Sequence, residues 1–236
     1  MKKSHIATLI VFFVLIPLTL IVGSRLSGRA FYVTSTLVIV ELLIPFFLAF
    51  KGRRPQAGEL VVLAVMCALA VAGRVAIPIP SFKAIFGIIM IAGIAFGPES
   101  GFLVGAISAL ASNFFYSQGP YTPWQMMAYG AGGMLAGFVF AEGRLPRKPV
   151  VMGIFGFLAV AFFVGPLLDT CSVFLVMSRI SLKGAMAFYI SGFPVNLRQA
   201  VATAIVLLVL GKPLLEKLDR IKTKYGILDD EGRKEA

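Results

Sequence analysis

The stretch GIAFGPESGFLVGAISALASNFFYSQGPYTPWQMMAYGAGGMLAG, residues 93–137, decides the architecture. Two apolar, glycine-rich runs, 98–113 and 125–141, flank a turn built on Gly119-Pro120 and Pro123, and a second break at Gly97-Pro98 precedes the first run. Glycines recur at intervals of four, as Gly93/Gly97, Gly101/Gly105 and Gly133/Gly137. That interval puts each pair on one face of a helix, the arrangement that lets helices in lipid approach closely. The glycine pairs therefore read as internal helix packing.

Working outward, the whole chain has the same character. Its 236 residues are 58% hydrophobic and 14% charged, with a mean hydropathy of +0.92. A soluble domain is about 45–50% apolar and about 25% charged. The fold class is thus all-α, a polytopic transmembrane helix bundle. At about 20 residues per span, no room remains for a soluble catalytic domain. Eight apolar segments can be drawn, at 5–22, 31–50, 59–77, 82–96, 98–113, 125–141, 150–176 and 184–211. They divide the chain into an N-terminal transmembrane extension of two helices (1–58), a six-helix core (59–211) and a tail (212–236). Segment 82–96 is short, about 22 Å as a helix. With 98–113 it makes either two spans or a re-entrant hairpin turning at Gly97-Pro98. The first segment is an uncleaved helix or, because Lys2 and Lys3 precede it and Gly23-Ser24 follow, a cleaved signal.

The net charge of +11 is distributed in short clusters between apolar runs, which is the pattern of topogenic signals. With the N-terminus inside, fifteen of the 22 Lys and Arg residues fall on the inner side or in the tail. The other seven are Arg25, Arg29, Arg74, Lys83, Arg179, Lys183 and Arg198. An even number of helices with both termini cytoplasmic fits that bias. A nucleic-acid partner is excluded, because there is no continuous basic stripe and no RNA-binding pattern. The single histidine, His5, and the two cysteines, Cys67 and Cys171, make no metal-ligand spacing. Gly211-Lys212 lacks both the earlier glycine (Val206) and the following Ser or Thr (Pro213) of a P-loop. Hydrolase signatures are likewise missing, so the chain reads as a non-enzyme that does not itself hydrolyse ATP.

The polar residues gather at one depth. Arg74 lies about 22 Å from Glu59 at the inner face, Asp169 about 30 Å beyond Pro149, and Arg198 about 20 Å above Gly211. Asn113, Lys83, Arg179, Lys183 and Asn196 also fall toward the outer side. Ionisable residues at such depths face a bundle interior or a water-filled cavity, so a polar pocket open to the outside is expected. Asp169 and Arg198 would line it or form an ion pair, whereas Arg74, Lys83 and Lys183 also suit snorkelling to the outer headgroups. In 113–129, Asn113, Phe114, Phe115, Tyr116, Gln118, Tyr121, Trp124, Gln125 and Tyr129 surround the Pro/Gly turn. Aromatics beside amides suit stacking on a planar ligand and hydrogen bonding to its edges, a ligand lid; the alternative is an interfacial aromatic belt. Glu41 sits near mid-membrane, as a proton relay or as one half of a helix–helix hydrogen bond. Ala64, Ala68 and Ala72 form another small-residue face, whose first two members lie near the inner end where a partner protein can reach them. In the tail, Leu214, Leu215, Leu218 and Ile221 share one helical face, which suits a helix on the inner leaflet or one docked on a cytoplasmic partner.

On the 93–137 run, the chain resembles the S components of energy-coupling factor (ECF) vitamin transporters. The resemblance covers roughly 59–211, with segments 5–22 and 31–50 as an extension. It implies a bacterial cell membrane and a membrane subunit that binds a vitamin outside the cell. It also implies association with a transmembrane T component and two ATPases through an alanine-xxx-alanine face, matched here by Ala64 and Ala68. ATP would then be used by those partners, with no cofactor and no metal in this chain. The NFFYSQGPYTPWQM run is most like the branch handling cobalamin-like substrates, while the outer cations also suit riboflavin- or folate-like ligands. Substrate-lining residues are expected to be Arg74, Asn113, Tyr116, Gln118, Tyr121, Trp124, Gln125, Asp169 and Arg198. Two other readings stay open: a stand-alone proton-coupled transporter using Glu41, and an intramembrane enzyme acting on lipid with Asp169, Arg179 and Arg198.

Overall fold

The computed structural model describes residues 10–25, 37, 40, 41, 57–177 and 181–226, and among these every regular element is a helix. Helix α1 is a π-turn, Val11–Leu15, continuing into Ile16–Arg25. Segment 31–50 lies outside the described residues apart from Leu37, Val40 and Glu41, and Arg179 lies outside them as well. Helices α2 (Ala57–Val75), α3 (Ile85–Phe96), α4 (Pro98–Tyr116) and α5 (Thr122–Phe140) follow. Beyond a short 3-10 turn, Ala141–Gly143, come α6 (Pro149–Val176) and α7 (Leu182–Tyr225), with π-turns at Val160–Val164 and Leu207–Gly211. By length and composition, α2, α6 and α7 are each able to cross a bilayer. The chain is an all-α membrane bundle.

Helix α3 is its centre. It carries no charged or hydrogen-bonding side chain, and every residue from Ile85 to Ala95 is buried, as expected of a helix that is apolar all round. Helices α4 and α5 reach it through glycine. A Cβ at Gly93 would lie 2.1 Å from the Gly133 carbonyl oxygen, and one at Gly101 would lie 2.5 Å from the same atom. Backbones touch where side chains would otherwise intervene, so the spacing-four glycines are the contact surface of three helices. Gly97 alone separates α3 from α4, at φ 94°, a conformation that favours glycine. Pro98 then opens α4, where its fixed φ suits the first helical turn.

The C-terminal end of α3 is pinned by cations from elsewhere in the chain. Arg147 donates to the Ile94 carbonyl at 3.1 Å and Lys222 to the Ala95 carbonyl at 3.0 Å. Positive charge belongs at the last carbonyls of a helix. Asp219, 3.4 Å from Arg147, completes a charged layer at this level. From that layer α3 rises only 12 residues and α4 rises 19, or about 18 and 28 Å against a hydrocarbon core of about 30 Å. By length α4 spans and α3 does not. The connection 76–84 sinks into the resulting gap, held by Ala84 N–H donating to the Gly73 carbonyl (3.0 Å) and by Gln199 Nε2 donating to the Lys83 carbonyl (2.7 Å).

One expectation is corrected here. The tail helix does not lie apart on the inner leaflet: α7 continues through Gly211 to Tyr225, 44 residues in all, or about 66 Å. Leu215 and Leu218 are buried in the bundle core. Pro213 does not stop the helix because it follows the wide turn Leu207–Gly211, where the regular backbone ladder has already been displaced.

Candidate functional site

Two polar clusters lie toward the end of the bundle where α3 begins, one around the end of α2 and one at the seam of α6 and α7. The first begins with Arg74 at the end of α2. Its Nη1 donates to Ser112 Oγ at 2.5 Å and to Asn113 Oδ1 at 2.9 Å, at the C-terminal end of α4 where a cation is favoured. Asn113, wholly buried, donates through Nδ2 to Thr122 Oγ1 (3.1 Å) and Gln125 Oε1 (2.8 Å). Thr122 Oγ1 in turn donates to Gln118 Oε1 at 2.9 Å and accepts from Gly119 N–H at 3.2 Å. Gln118 Nε2 reaches back to the Leu110 carbonyl, and Tyr121 donates to the Ser117 carbonyl. The Tyr116 hydroxyl donates to the Arg74 carbonyl at 3.0 Å, and the Arg74 guanidinium lies 4.9 Å from the Tyr116 ring centroid and 5.6 Å from that of Tyr129. Lys83 is 5.8 Å from the Tyr116 ring and donates to the Ile77 carbonyl.

The residues expected to form a ligand lid hold one another in this structure. Arg74, Asn113, Tyr116, Gln118, Tyr121 and Gln125 do come together, but their polar atoms are spent on one another and on backbone. The amides tie the 117–121 turn to the ends of α2, α4 and α5, as a satisfied polar network does when it fixes one local structure. Asn113→Leu is expected to lower stability by about 2–3 kcal/mol, because Arg74, Thr122 and Gln125 lose buried partners together. Thermal unfolding in detergent checks this, with the exposed Phe114→Leu as the neutral comparison.

The second cluster joins α6 to α7. Asn196 Nδ2 donates to Asp169 Oδ2 at 2.7 Å, and the Thr170 and Tyr189 hydroxyls are 2.8 Å apart. Reciprocal glycines make room for the pair. A Cβ at Gly165 of α6 would lie 2.4 Å from Asn196 Cγ, and one at Gly192 of α7 would lie 2.2 Å from Asp169 Oδ1. Asn196 and Gln199, three residues apart on one face of α7, link the two clusters, since Gln199 holds the Lys83 carbonyl. Arg198 is not part of this. Two residues from Asn196, it points about 200° away around the helix. Its side chain is exposed and its Nε donates to the Pro194 carbonyl at 3.3 Å. The expected Asp169–Arg198 pair is therefore replaced by Asp169–Asn196.

Trp124 has a separate place. It is buried and stacked on Phe174, with ring centroids 5.4 Å apart and planes 24° from parallel. The pair walls a cavity of ≈ 200 Å³ whose other lining residues are Pro17, Ile21, Met127, Phe163, Leu167 and Thr170. The exposed lining is apolar: Thr170 lines the cavity, while its hydroxyl donates to the Pro166 carbonyl and meets the Tyr189 hydroxyl. Sequence reasoning passed over Thr122, Thr170, Phe174, Tyr189 and Gln199. The signal for Gln199 was the polar stripe Asn196, Gln199 and Thr203 in an otherwise apolar helix. Among the described residues, no three His, Cys, Asp or Glu side chains gather as metal donors. Both cysteines are free and buried.

In comparison with known proteins, the sequence model of the family described as "ECF-type riboflavin transporter, S component" matches residues 56–216. No curated protein and no solved structure matches the chain.

Proposed function

The chain belongs to the family of ECF-type riboflavin transporter S components, and from that premise we propose that it is the substrate-capturing membrane subunit of a vitamin importer, with riboflavin as its ligand. The observation that carries the choice of ligand is the cavity beside the α6–α7 polar pair. Riboflavin is a flat tricycle with one methyl-substituted apolar edge, one imide edge and a polyhydroxyl chain. An apolar pocket walled by a stacked Trp124–Phe174 pair suits the apolar edge. Thr170 lines the cavity and its hydroxyl meets that of Tyr189, while its sequence neighbour Asp169 pairs with Asn196; these groups near the cavity suit the imide or the hydroxyl chain. The ligand need not be anionic, because Arg74 already serves Ser112 and Asn113 and Lys83 serves the Ile77 carbonyl.

In this reading Trp124 and Asp169 touch the ligand. Arg74, Asn113, Tyr116, Gln118, Tyr121 and Gln125 hold the outer turn in the shape that frames it. Arg198 faces outward from the bundle. Import needs an energy source this chain does not supply, and the exposed alanine face of α2 is the surface offered to a T component coupled to two ATPases. The alternatives predict different behaviour: a proton-coupled transporter works alone, and a lipid enzyme turns over without partners.

Reconstitution tests the proposal. Proteoliposomes holding this chain, a T component and the two ATPases should take up radiolabelled riboflavin only with ATP inside the ATPase compartment. Vesicles holding this chain alone should take up none, with or without a pH gradient. Asp169→Ala should weaken riboflavin binding by about tenfold, the equivalent of about 1.4 kcal/mol for one lost polar contact. Equilibrium titration of flavin fluorescence measures it.

A further inference from the structure

The matched family stretch begins at residue 56, yet two residues of the cavity come from before it. Pro17 and Ile21 of α1 line the face opposite Trp124 and Phe174. They are four residues apart and so share one face of the helix. Thr19, about 200° away around the helix, donates to Glu41 Oε1 on the other side. Helix α1 is thus bonded to Glu41 on one side and on the other presents Pro17 and Ile21 to the cavity that Trp124 and Phe174 also line. We propose that this helix is part of the ligand site, with Pro17 and Ile21 forming one wall of a slot and Trp124 and Phe174 the other, and that Ile21 sets how bulky a planar ring edge the slot admits. This rests on the riboflavin reading of the same site.

The ligand class follows from the lining. A slot between aliphatic and aromatic side chains whose exposed lining is apolar throughout takes a planar, methyl-bearing aromatic edge and rejects a charged one. A tricyclic ring entering with its methyl-substituted edge first would place that edge against Ile21. Its polar edge would then lie toward Thr170 and Asp169. Bulk at position 21 should exclude the ring, and removal of bulk should admit a wider one.

Four forms of the intact chain distinguish the possibilities by flavin-fluorescence titration in detergent: wild type, Ile21→Trp, Ile21→Ala and Leu18→Trp. Leu18 is 56% exposed on the same helix and does not line the cavity, so its tryptophan adds the same bulk elsewhere. The expected result is that Ile21→Trp weakens riboflavin binding at least about tenfold while Leu18→Trp leaves it within about twofold. Ile21→Ala should favour, relative to wild type, an analogue bearing a dialkylamino group in place of one ring methyl. Wild-type affinity in both Ile21 variants would overturn the role of α1 and leave the riboflavin reading standing. Equal losses in Ile21→Trp and Leu18→Trp, with no shift in analogue preference for Ile21→Ala, would also overturn it, by showing that α1 acts only through general packing. Failure of the wild type to bind any flavin would overturn the riboflavin reading, and this inference with it.

Discussion

Replacing Ala64 and Ala68 together by tryptophan is expected to reduce riboflavin uptake by the assembled transporter at least about tenfold, with riboflavin binding by the isolated chain unchanged within about twofold. Helix α2 is two-faced. Leu63, Met66, Cys67 and Ala70 are buried in the bundle, whereas Ala64 and Ala68 are exposed, between Val61 and Val65, which are 60% and 51% exposed. Lipid tails are as apolar as leucine, so a membrane helix gains its partner through close backbone approach and dispersion contacts. Two small residues one turn apart, near the inner end, provide that approach; two indoles remove it. On α2 the first polar cluster begins at Arg74, six residues beyond Ala68 and ten beyond Ala64, and no α2 residue lines the cavity. Loss of uptake with intact binding therefore assigns the face to partner contact. Unchanged uptake would show that this face meets only lipid.

The second large effect is structural. Gly133→Leu should prevent accumulation of folded protein, and Gly133→Ala should lower stability by about 1–3 kcal/mol. A Cβ at Gly133 would lie 2.2 Å from the Gly101 carbonyl oxygen, 2.6 Å from the Gly101 carbonyl carbon and 2.8 Å from Ile89 Cγ2. Two of these three neighbours are backbone atoms, so no rotamer change relieves the clash and α4 must move away from α5. Because α3 packs against both, through Gly93 on Gly133 and Gly101, the displacement passes to the central helix. Size-exclusion profile and melting temperature in detergent measure the effect. Gly143, where a Cβ would meet nothing within 4 Å but φ is 72°, isolates the backbone-strain contribution from packing.

Much of this was legible before any coordinates. The glycine interval of four identified the α3–α4–α5 contact, and the shortness of 82–96 pointed to the incomplete central helix. Both are one-dimensional properties, a period and a length, which the chain carries locally. The depth argument also brought Arg74, Asn113, Asp169 and Asn196 to one level. It did not pair them correctly, because depth fixes position along a helix and leaves azimuth open. Asn196 and Arg198 are two residues apart and on opposite sides of α7, and helix phase, counted from the stripe Asn196–Gln199–Thr203, was the information needed. The partner of Trp124 was not legible at all. Phe174 lies fifty residues away on another helix, and only the packing of α6 on α5 brings them together. In 113–129 the sequence could not show the internal pairing, because amides with the right chemistry for a ligand have equally the right chemistry for each other. The tail has an amphipathic pattern that suits a separate helix, but the π-turn Leu207–Gly211 just before Pro213 lets α7 continue into it.

A coherent division of labour results. Glycine contacts build a rigid three-helix centre, the short α3 leaves space toward the outside, and the 113–125 network shapes its rim. The α6–α7 pair and the Trp124 cavity supply a polar and an apolar surface side by side. The central claim is that this juxtaposition holds a flavin. Titrating purified full-length protein into riboflavin, with fluorescence quenching as the readout and cobalamin as competitor, tests it most directly. The account predicts saturable, stoichiometric quenching with an affinity of about micromolar or tighter, weakened by Asp169→Ala and unaffected by excess cobalamin. Absence of quenching, or its abolition by cobalamin, would contradict it.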